Sequence, residues 1–310
     1  MNILPVDLYG EQEAMATAIR LRSNGCWTNS AHGHAIFINS RVATVPELSM
    51  HSDKCTPEYF FDKRFEVLIP QRDYWEKDNP LNPMDINIFT DGSKTESGSG
   101  MGIYALKPQL EVSKSLDKHA TITQAETCAI IETCKILLQC NTHDMNINIY
   151  SDSQASLKAL NSHCLTSKLM IECLDSVTDL CHSNKLIWVP GHSNIDGNEN
   201  ADKLARMGSE NPSSRPTWNL GLTYTTQRSL IRTFYNTQHK KLWHSLPNCK
   251  HSKTMTEGPS YRIANFLLNK SREGLRRIIG ALINTFTECH LLKQLHAGNA
   301  MRRIKRHYTF

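Results

Sequence analysis

The sequence predicts an α/β fold: a mixed sheet of five strands flanked by helices, with its elements in the order βββαβααβα. Three observations predict it. Within residues 84–209, short runs of alternating apolar and polar residues give way to longer runs with apolar residues at helical spacing. Short turns join the first three short runs, whereas helical runs separate the later ones, as when an antiparallel meander passes into parallel crossovers. Finally, INIFTD at 86–91 and INIYSD at 147–152 repeat one pattern in one phase, and each ends on an aspartate.

The elements follow in order. The first strand covers 85–91. SGMGIYALK (99–107) and QLEVSKSL (109–116) complete the meander. TITQAETCAIIETCKILLQC (121–140) is a helix, with threonines placed to cap its start. MNINIYS (145–151) is a strand and SQASLKAL (153–160) a short helix. SKLMIECLDSVTDLCH (167–182) is a longer helix, with apolar residues at 169, 173, 174, 177, 180 and 181 forming one stripe. KLIWVP (185–190) is the last strand, the loop GHSNIDGN follows, and ENADKLARMGS (199–209) is the closing helix.

Two Pro-rich breaks, KDNPLNPMD and SENPSSRPTW, bound this region and divide the chain into residues 1–83, 84–209 and 210–310. The first part opens on the helical EQEAMATAIRLRSNG and continues as text rich in His, Asn and Ser. The last part is mainly helical, through RSLIRTFYNTQHKKLWHSL and SREGLRRIIGALINTF, and ends in a frayed MRRIKRHYTF. From residue 211 onward there are 17 Lys and Arg against 3 Asp and Glu, a balance of +14; the whole chain carries +5, so the remainder carries 5 − 14 = −9. A basic tail on an acidic body points to a polyanionic partner. No apolar run approaches the ~20 residues that span a bilayer. The start, MNILPVDLYGEQEAMA, lacks the basic and apolar regions of a secretion signal, so an intracellular protein of nucleus or cytoplasm is expected, with no membrane partner. None of the ten cysteines forms a CxxC pair, so reduced core thiols are expected rather than disulfides or a zinc module.

The repeated strand pattern carries the chemistry. Side chains alternate along a strand, so Asp91 shares a face with Phe89 and Asn87, and Asp152 with Tyr150 and Asn148. Adjacent parallel strands would set the two aspartates side by side at about 4.8 Å. Carboxylates that close repel and raise one another's pKa unless a cation lies between them, and oxygen donors at that spacing suit Mg²⁺ or Mn²⁺. Glu126 sits near the start of the intervening helix, four residues before Ile130 and on the same inward stripe. After the last strand come His192 on a glycine-bearing loop and the acids Asp196, Glu199 and Asp202. Asp196 precedes Gly197 and fits a turn; Asp202, just before Leu204 and Ala205 on the closing helix, is the preferred fourth ligand. An imidazole at position 192 suits proton transfer.

FTDGSK, TQAET, YSDSQASLKAL and VPGHSNIDGNENADKLA together resemble, in order, the four acidic motifs of the type 1 ribonuclease H family. The resemblance covers residues 84–209. It implies a ribonuclease H-like fold and a metal-dependent endonuclease that hydrolyses the RNA strand of RNA–DNA hybrids, leaving 5′-phosphate and 3′-hydroxyl ends. It makes Asp91, Glu126, Asp152 and Asp202 the metal-binding acids for two Mg²⁺ ions (Mn²⁺ as a substitute), and His192 the loop histidine. By position, Gly92, Ser93, Gln124 and Gln154 are candidate contacts to the hybrid. The flanks NILPVDLYGEQEAMATAIRLRSNGCW (2–27) and GLRRIIGALINTFTECHLLKQLHAGN (274–299) resemble segments on either side of the nuclease in insect-type non-LTR retrotransposon polyproteins. That resemblance implies a reverse transcriptase partner in cis or in trans. No aspartate-pair polymerase motif is present in the chain. The connection NSHCLTSKLMIECLDSVTDLCHSNK holds two lysines and no basic cluster, so the basic tail is the expected phosphate grip. Two rival readings stand beside this one: a non-catalytic nucleic-acid-binding remnant of a retroelement, and a related-fold nuclease acting on DNA.

Overall fold

A computed structural model describes residues 4–26, 33–77, 81–140, 145–180, 184–211, 218–247, 253 and 258–277. Cys181 at the end of the apolar stripe, most of the SENPSSRPTW break, the second flank beyond Arg277 and the MRRIKRHYTF end lie outside these residues. The strands are β1 (Lys54–Tyr59), β2 (Phe65–Leu68), β3 (Ile86–Lys94), β4 (Ser99–Ala105), β5 (Leu110–Leu116), β6 (Ile147–Ser151), β7 (Cys164–Ser167) and β8 (Asn184–Trp188). The helices are α1 (Val6–Ser23), α2 (His34–Ala43), α3 (Tyr74–Lys77), α4 (Ile122–Gln139), α5 (Gln154–Asn161), α6 (Lys168–Asp179), α7 (Asp196–Glu210), α8 (Tyr224–Ser245) and α9 (Tyr261–Leu268). None of them is long and apolar enough to cross a membrane.

The α/β class and the mixed sheet of residues 84–209 are as expected, and so is the element order except for the short strand β7 between α5 and α6. The main sheet runs β2-β8-β6-β3-β4-β5. β3, β4 and β5 form the antiparallel meander, and β6, β8 and β2 add in parallel beside β3. The sheet therefore has six strands, one more than expected. The additional strand is β2, which pairs with β8 from the segment before the linker. Its four residues, FEVL, are too short a run for alternation to stand out. A second short pairing was likewise not foreseen: β1 runs antiparallel to β7 in a separate two-stranded ribbon. Two compact units result, one of residues 9–235 and one of residues 1–8 with 236–310.

One face of the sheet carries the main core. Ile86, Ile88, Ile147, Ile149 and Leu186 bury against Cys128, Ile130, Ile131, Cys134 and Leu137 of α4 and Cys173, Leu174 and Val177 of α6. Each fully buried large aliphatic side chain is worth about 1.5–3 kcal/mol, so this face supplies much of the fold's stability. The thiols of Cys128, Cys134 and Cys173 are free and buried, as expected for reduced core cysteines. The other face is smaller: Phe89, Tyr150, Val189 and Ala201, covered by α7.

Local signals set the helix starts. Thr121 caps α4 in a reciprocal box with Gln124: the Thr121 hydroxyl accepts from the Gln124 amide at 3.2 Å, and the Gln124 Oε1 accepts from the Thr121 amide at 3.1 Å. Ser153 caps α5 and Ser167 caps α6. At α6 the cap is reinforced by Asp53, which accepts from the Ser167 hydroxyl at 2.8 Å and the Leu169 amide at 3.0 Å. α7 begins at Asp196, three residues before the expected start, so Asp196 opens the helix as a first-turn acid rather than forming a turn.

Candidate active site

The repeated pattern is resolved as paired rungs. β3 and β6 pair in parallel with Asn87 beside Asn148, Phe89 beside Tyr150 and Thr90 beside Ser151, so the following rung sets Asp91 beside Asp152. Below the acids, the Phe89 and Tyr150 rings stack with centroids 4.8 Å apart at 19°. The Asn148 amide donates to Asp85 at 3.1 Å and to Asn87 at 3.2 Å, and the Tyr150 hydroxyl donates to Asn87 at 3.0 Å. These lower rungs lock the register that brings the carboxylates together.

Glu126 reaches the same place from the helix on the other face. Gly92 makes this possible, because a Cβ there would lie 2.4 Å from the Glu126 nitrogen. The bare backbone lets the first turn of α4 rest on β3 directly beside Asp91. Glu126 is 3% exposed and Asp91 5%. Ser151 donates to Glu126 at 3.4 Å, and the Gly92 backbone opposes the upward push on both acids. Asp152 is held through its backbone: its carbonyl accepts from the Trp188 indole at 3.0 Å and from the Gln154 amide at 3.1 Å. Gly191 leaves room for its side chain, since a Cβ there would lie 2.7 Å from Asp152 Oδ2.

The carboxylates of Asp91, Glu126 and Asp152 offer oxygen atoms that all lie within 4.8 Å of one another. Burial, followed by the charges of Asp152 and Asp202, pushes Asp91 up to about 7. Burial, then Asp91 and Asp152, pushes Glu126 well above the usual carboxylate range. Asp152 is raised by burial and by Asp202, against the opposing pull of His192. Three acids that resist ionising together form a set of hard oxygen donors suited to divalent cations.

Asp202 belongs to an adjoining set, with His192 and Glu199, whose ligand atoms also lie within 4.8 Å of one another. Arg206 pairs with Asp202 at 3.0 Å one helical turn on. His192 is exposed and holds a left-handed backbone, φ 51°, which is strained for a residue with a Cβ, at the tip of its loop. Glu199 was passed over for Asp202 in the sequence; its signal is the three-residue spacing that sets both on one helix face. Trp188, Gly92 and Gly191 had no sequence signal for the positions they hold.

Of the four residues expected at the substrate surface, Gly92 and Ser93 are partly exposed beside Asp91. Gln154, at the first position of α5, accepts from the Lys158 ammonium at 2.8 Å. Gln124 is instead buried, because its capping role turns it back into the protein, where its Nε2 donates to the Gly221 carbonyl at 2.9 Å.

Gly92→Ala is expected to destabilise the protein by about 1–3 kcal/mol, the usual penalty of overpacking. By displacing Glu126 it should also weaken divalent-cation binding. Thermal melts with and without Mn²⁺ measure both; a variant that gains as much from Mn²⁺ as the wild type would refute the close-approach argument.

Residues 83–210 match the family model described as RNase H. The chain is 30% identical over 146 residues to Ribonuclease HI of Haemophilus ducreyi, covering 41% of this chain and 92% of that protein. It is also 30% identical over 149 residues to Ribonuclease HI of Haemophilus influenzae, covering 42% and 93%. Among solved structures, RNase H1 from the halophilic archaeon Halobacterium salinarum NRC-1 is similar at 22% identity with a TM-score of 0.32, covering 40% of this chain and 96% of that one.

Proposed function

The chain belongs to the ribonuclease H family, and on that premise we propose that it is an endonuclease that hydrolyses the RNA strand of RNA–DNA hybrids with divalent cations, Mg²⁺ by preference. The observation that carries this reading is the convergence of the Asp91, Glu126 and Asp152 carboxylates within 4.8 Å. Asp91, Glu126, Asp152 and Asp202 would hold the cations. When bound, two such ions supply Lewis-acid charge on both sides of a scissile phosphate.

The protein's own groups do the rest. The buried Asp91 and Glu126 and the half-buried Asp152 present their oxygens at one point and would leave the open side to the phosphate. His192, on its strained loop beside Glu199 and Asp202, takes or returns a proton at its imidazole. The backbone around Gly92 and Ser93, with Gln154, borders the carboxylates where a 2′-hydroxyl would lie, which is how RNA is told from DNA. A hybrid substrate supports a location in the nucleus or cytoplasm. The resemblance of the flanks supports a retrotransposon origin and a reverse transcriptase partner.

The test is cleavage of a doubly labelled hybrid by the full chain, beside single-stranded RNA and duplex DNA, in Mg²⁺, Mn²⁺ and EDTA. Cuts confined to the RNA strand of the hybrid, leaving 5′-phosphates and abolished by EDTA, are expected. No cleavage in either cation would leave a nucleic-acid-binding remnant in its place, and cuts in duplex DNA would support the DNA-nuclease reading.

A further inference from the structure

Three rings stand together on the β1–β7 ribbon. Tyr59 is 65% and Phe61 75% exposed, although the other face of this segment is anchored by Phe60 packing on the main core. The rings of Tyr59 and Phe61 lie with centroids 6.4 Å apart and 9° from parallel. Phe61 and His163 follow at 5.7 Å and 26°. The array is held in place: the Phe60 amide donates to the His163 carbonyl at 2.9 Å, and the His163 Nδ1–H donates to the Phe60 carbonyl at 3.1 Å.

Its position matters as much as its exposure. His163 follows α5 almost directly, and α5 starts two residues after Asp152. The eight residues of α5 span about 12 Å at ~1.5 Å per residue. The array is thus a few nucleotides from the carboxylates, at the other end of one short helix. Lys158 is exposed along that path, Arg64 is exposed beside the array, and the Lys63 ammonium is held at the end of α5 by the carbonyls of Leu160 and Ser162. Aromatic faces in near-parallel order, with a few cations, match the pattern by which proteins hold unpaired bases.

We propose that Tyr59, Phe61 and His163 form a stacking platform for an unpaired nucleic-acid strand flanking the hybrid. The proposal rests on the nucleic-acid substrate of the preceding section. It assigns part of the grip to the segment before the nuclease motifs. Among the described residues the argument rests on Lys63, Arg64 and Lys158, and with the acids Glu58 and Asp62 in the same segment, stacking dominates over phosphate contact. Three cations give a log–log salt slope no steeper than about −2 for a single strand.

The experiment uses the full chain and a fluorescent 20-nucleotide single strand, in DNA and RNA versions, read by anisotropy in EDTA. Tyr59→Ala and Phe61→Ala should each weaken binding at least about fivefold, the lower range for losing one base–ring stack. Phe61→Leu, which keeps the apolar surface but loses the π face, should behave as Phe61→Ala, and Phe61→Trp should restore binding. Cleavage of a blunt hybrid and the melting temperature should change little. Unchanged affinity in both alanine variants, or full binding by Phe61→Leu, overturns the platform. So does a change of oligomeric state in the variants with single-strand affinity intact, which would make the ribbon a self-association face. A wild type that binds single strands through these rings yet cuts no hybrid would keep the platform and remove the hydrolase reading; the converse result separates the two equally well.

Discussion

Asp91→Asn is expected to lower hybrid cleavage by about three orders of magnitude or more, and at the same time to make the cation-free protein more stable. The first effect follows from the role of the site. Lewis-acid stabilisation at a phosphate is worth several kcal/mol, and each ~1.36 kcal/mol is a factor of ten in rate. The second follows from the acids themselves. Asp91 is pushed up to about 7, first by burial and then by Asp152 and Asp202, and Glu126 and Asp152 are raised as well. Without a cation, the folded protein therefore holds protons that the unfolded chain has already released near pH ~4. Between about pH 4 and 7 the native state binds more protons than the unfolded state, so stability falls as pH rises through that window. Asparagine cannot ionise, so Asp91→Asn removes one of the mutually repelling charges. Melting curves in EDTA from pH 4 to 8 should show the wild type losing stability towards pH 8 and the variant losing less. Adding Mg²⁺ should reverse the order, since a bound cation stabilises the state that binds it. Equal cleavage by the two proteins, or a wild type whose stability in EDTA rises from pH 5 to 7, would refute the assignment.

The sequence made the acids legible because period and phase are local properties. INIFTD and INIYSD alternate in step, so two adjacent parallel strands must bring Asp91 and Asp152 to one rung, and the rungs below them, Phe89 with Tyr150 and Asn87 with Asn148, do pair. Glu126 was legible from its place on the same helix face as Ile130. The residues that let these groups meet were not. FTDGSK shows a glycine after Asp91 but not that α4 lies against it, since that depends on the path of a helix thirty residues later. Gln124 was misplaced because its position two residues before Glu126 does not show its orientation, which the Thr121 cap fixes inward. β1, β2 and β7 were missed for a shared reason: they are four to six residues long, and such runs are recognised by the partner strand they meet rather than by their own pattern.

Those missed strands make the boundary at residue 84 a poor place to cut. A chain of residues 84–310 loses β2, leaving β8 as an open parallel edge, and loses β1, leaving β7 without a partner. It also loses Asp53, whose carboxylate accepts from Ser167 and Leu169 and whose carbonyl accepts from the Lys168 amide at 2.8 Å. Lys63, which closes the end of α5, goes too. A helix cap contributes about 1 kcal/mol, and an orphaned buried donor costs about 1–3 kcal/mol. Together with the apolar contacts of Phe60, Phe65 and Val67 on the main core, the loss exceeds several kcal/mol, against a total stability of about 5–15 kcal/mol for a typical domain. The truncated chain should melt at least about 10 °C below the full one or fail to fold, at a few degrees per kcal/mol for a protein of this size. Asp53→Ala in the full chain is a graded control that should lower the melting temperature by several degrees while leaving β1 and β2 in place. A truncated chain that melts within two or three degrees of the full protein and cleaves hybrid at the same rate would show that the nuclease stands without its N-terminal segment, and that β1 and β2 lie on a finished fold rather than complete it.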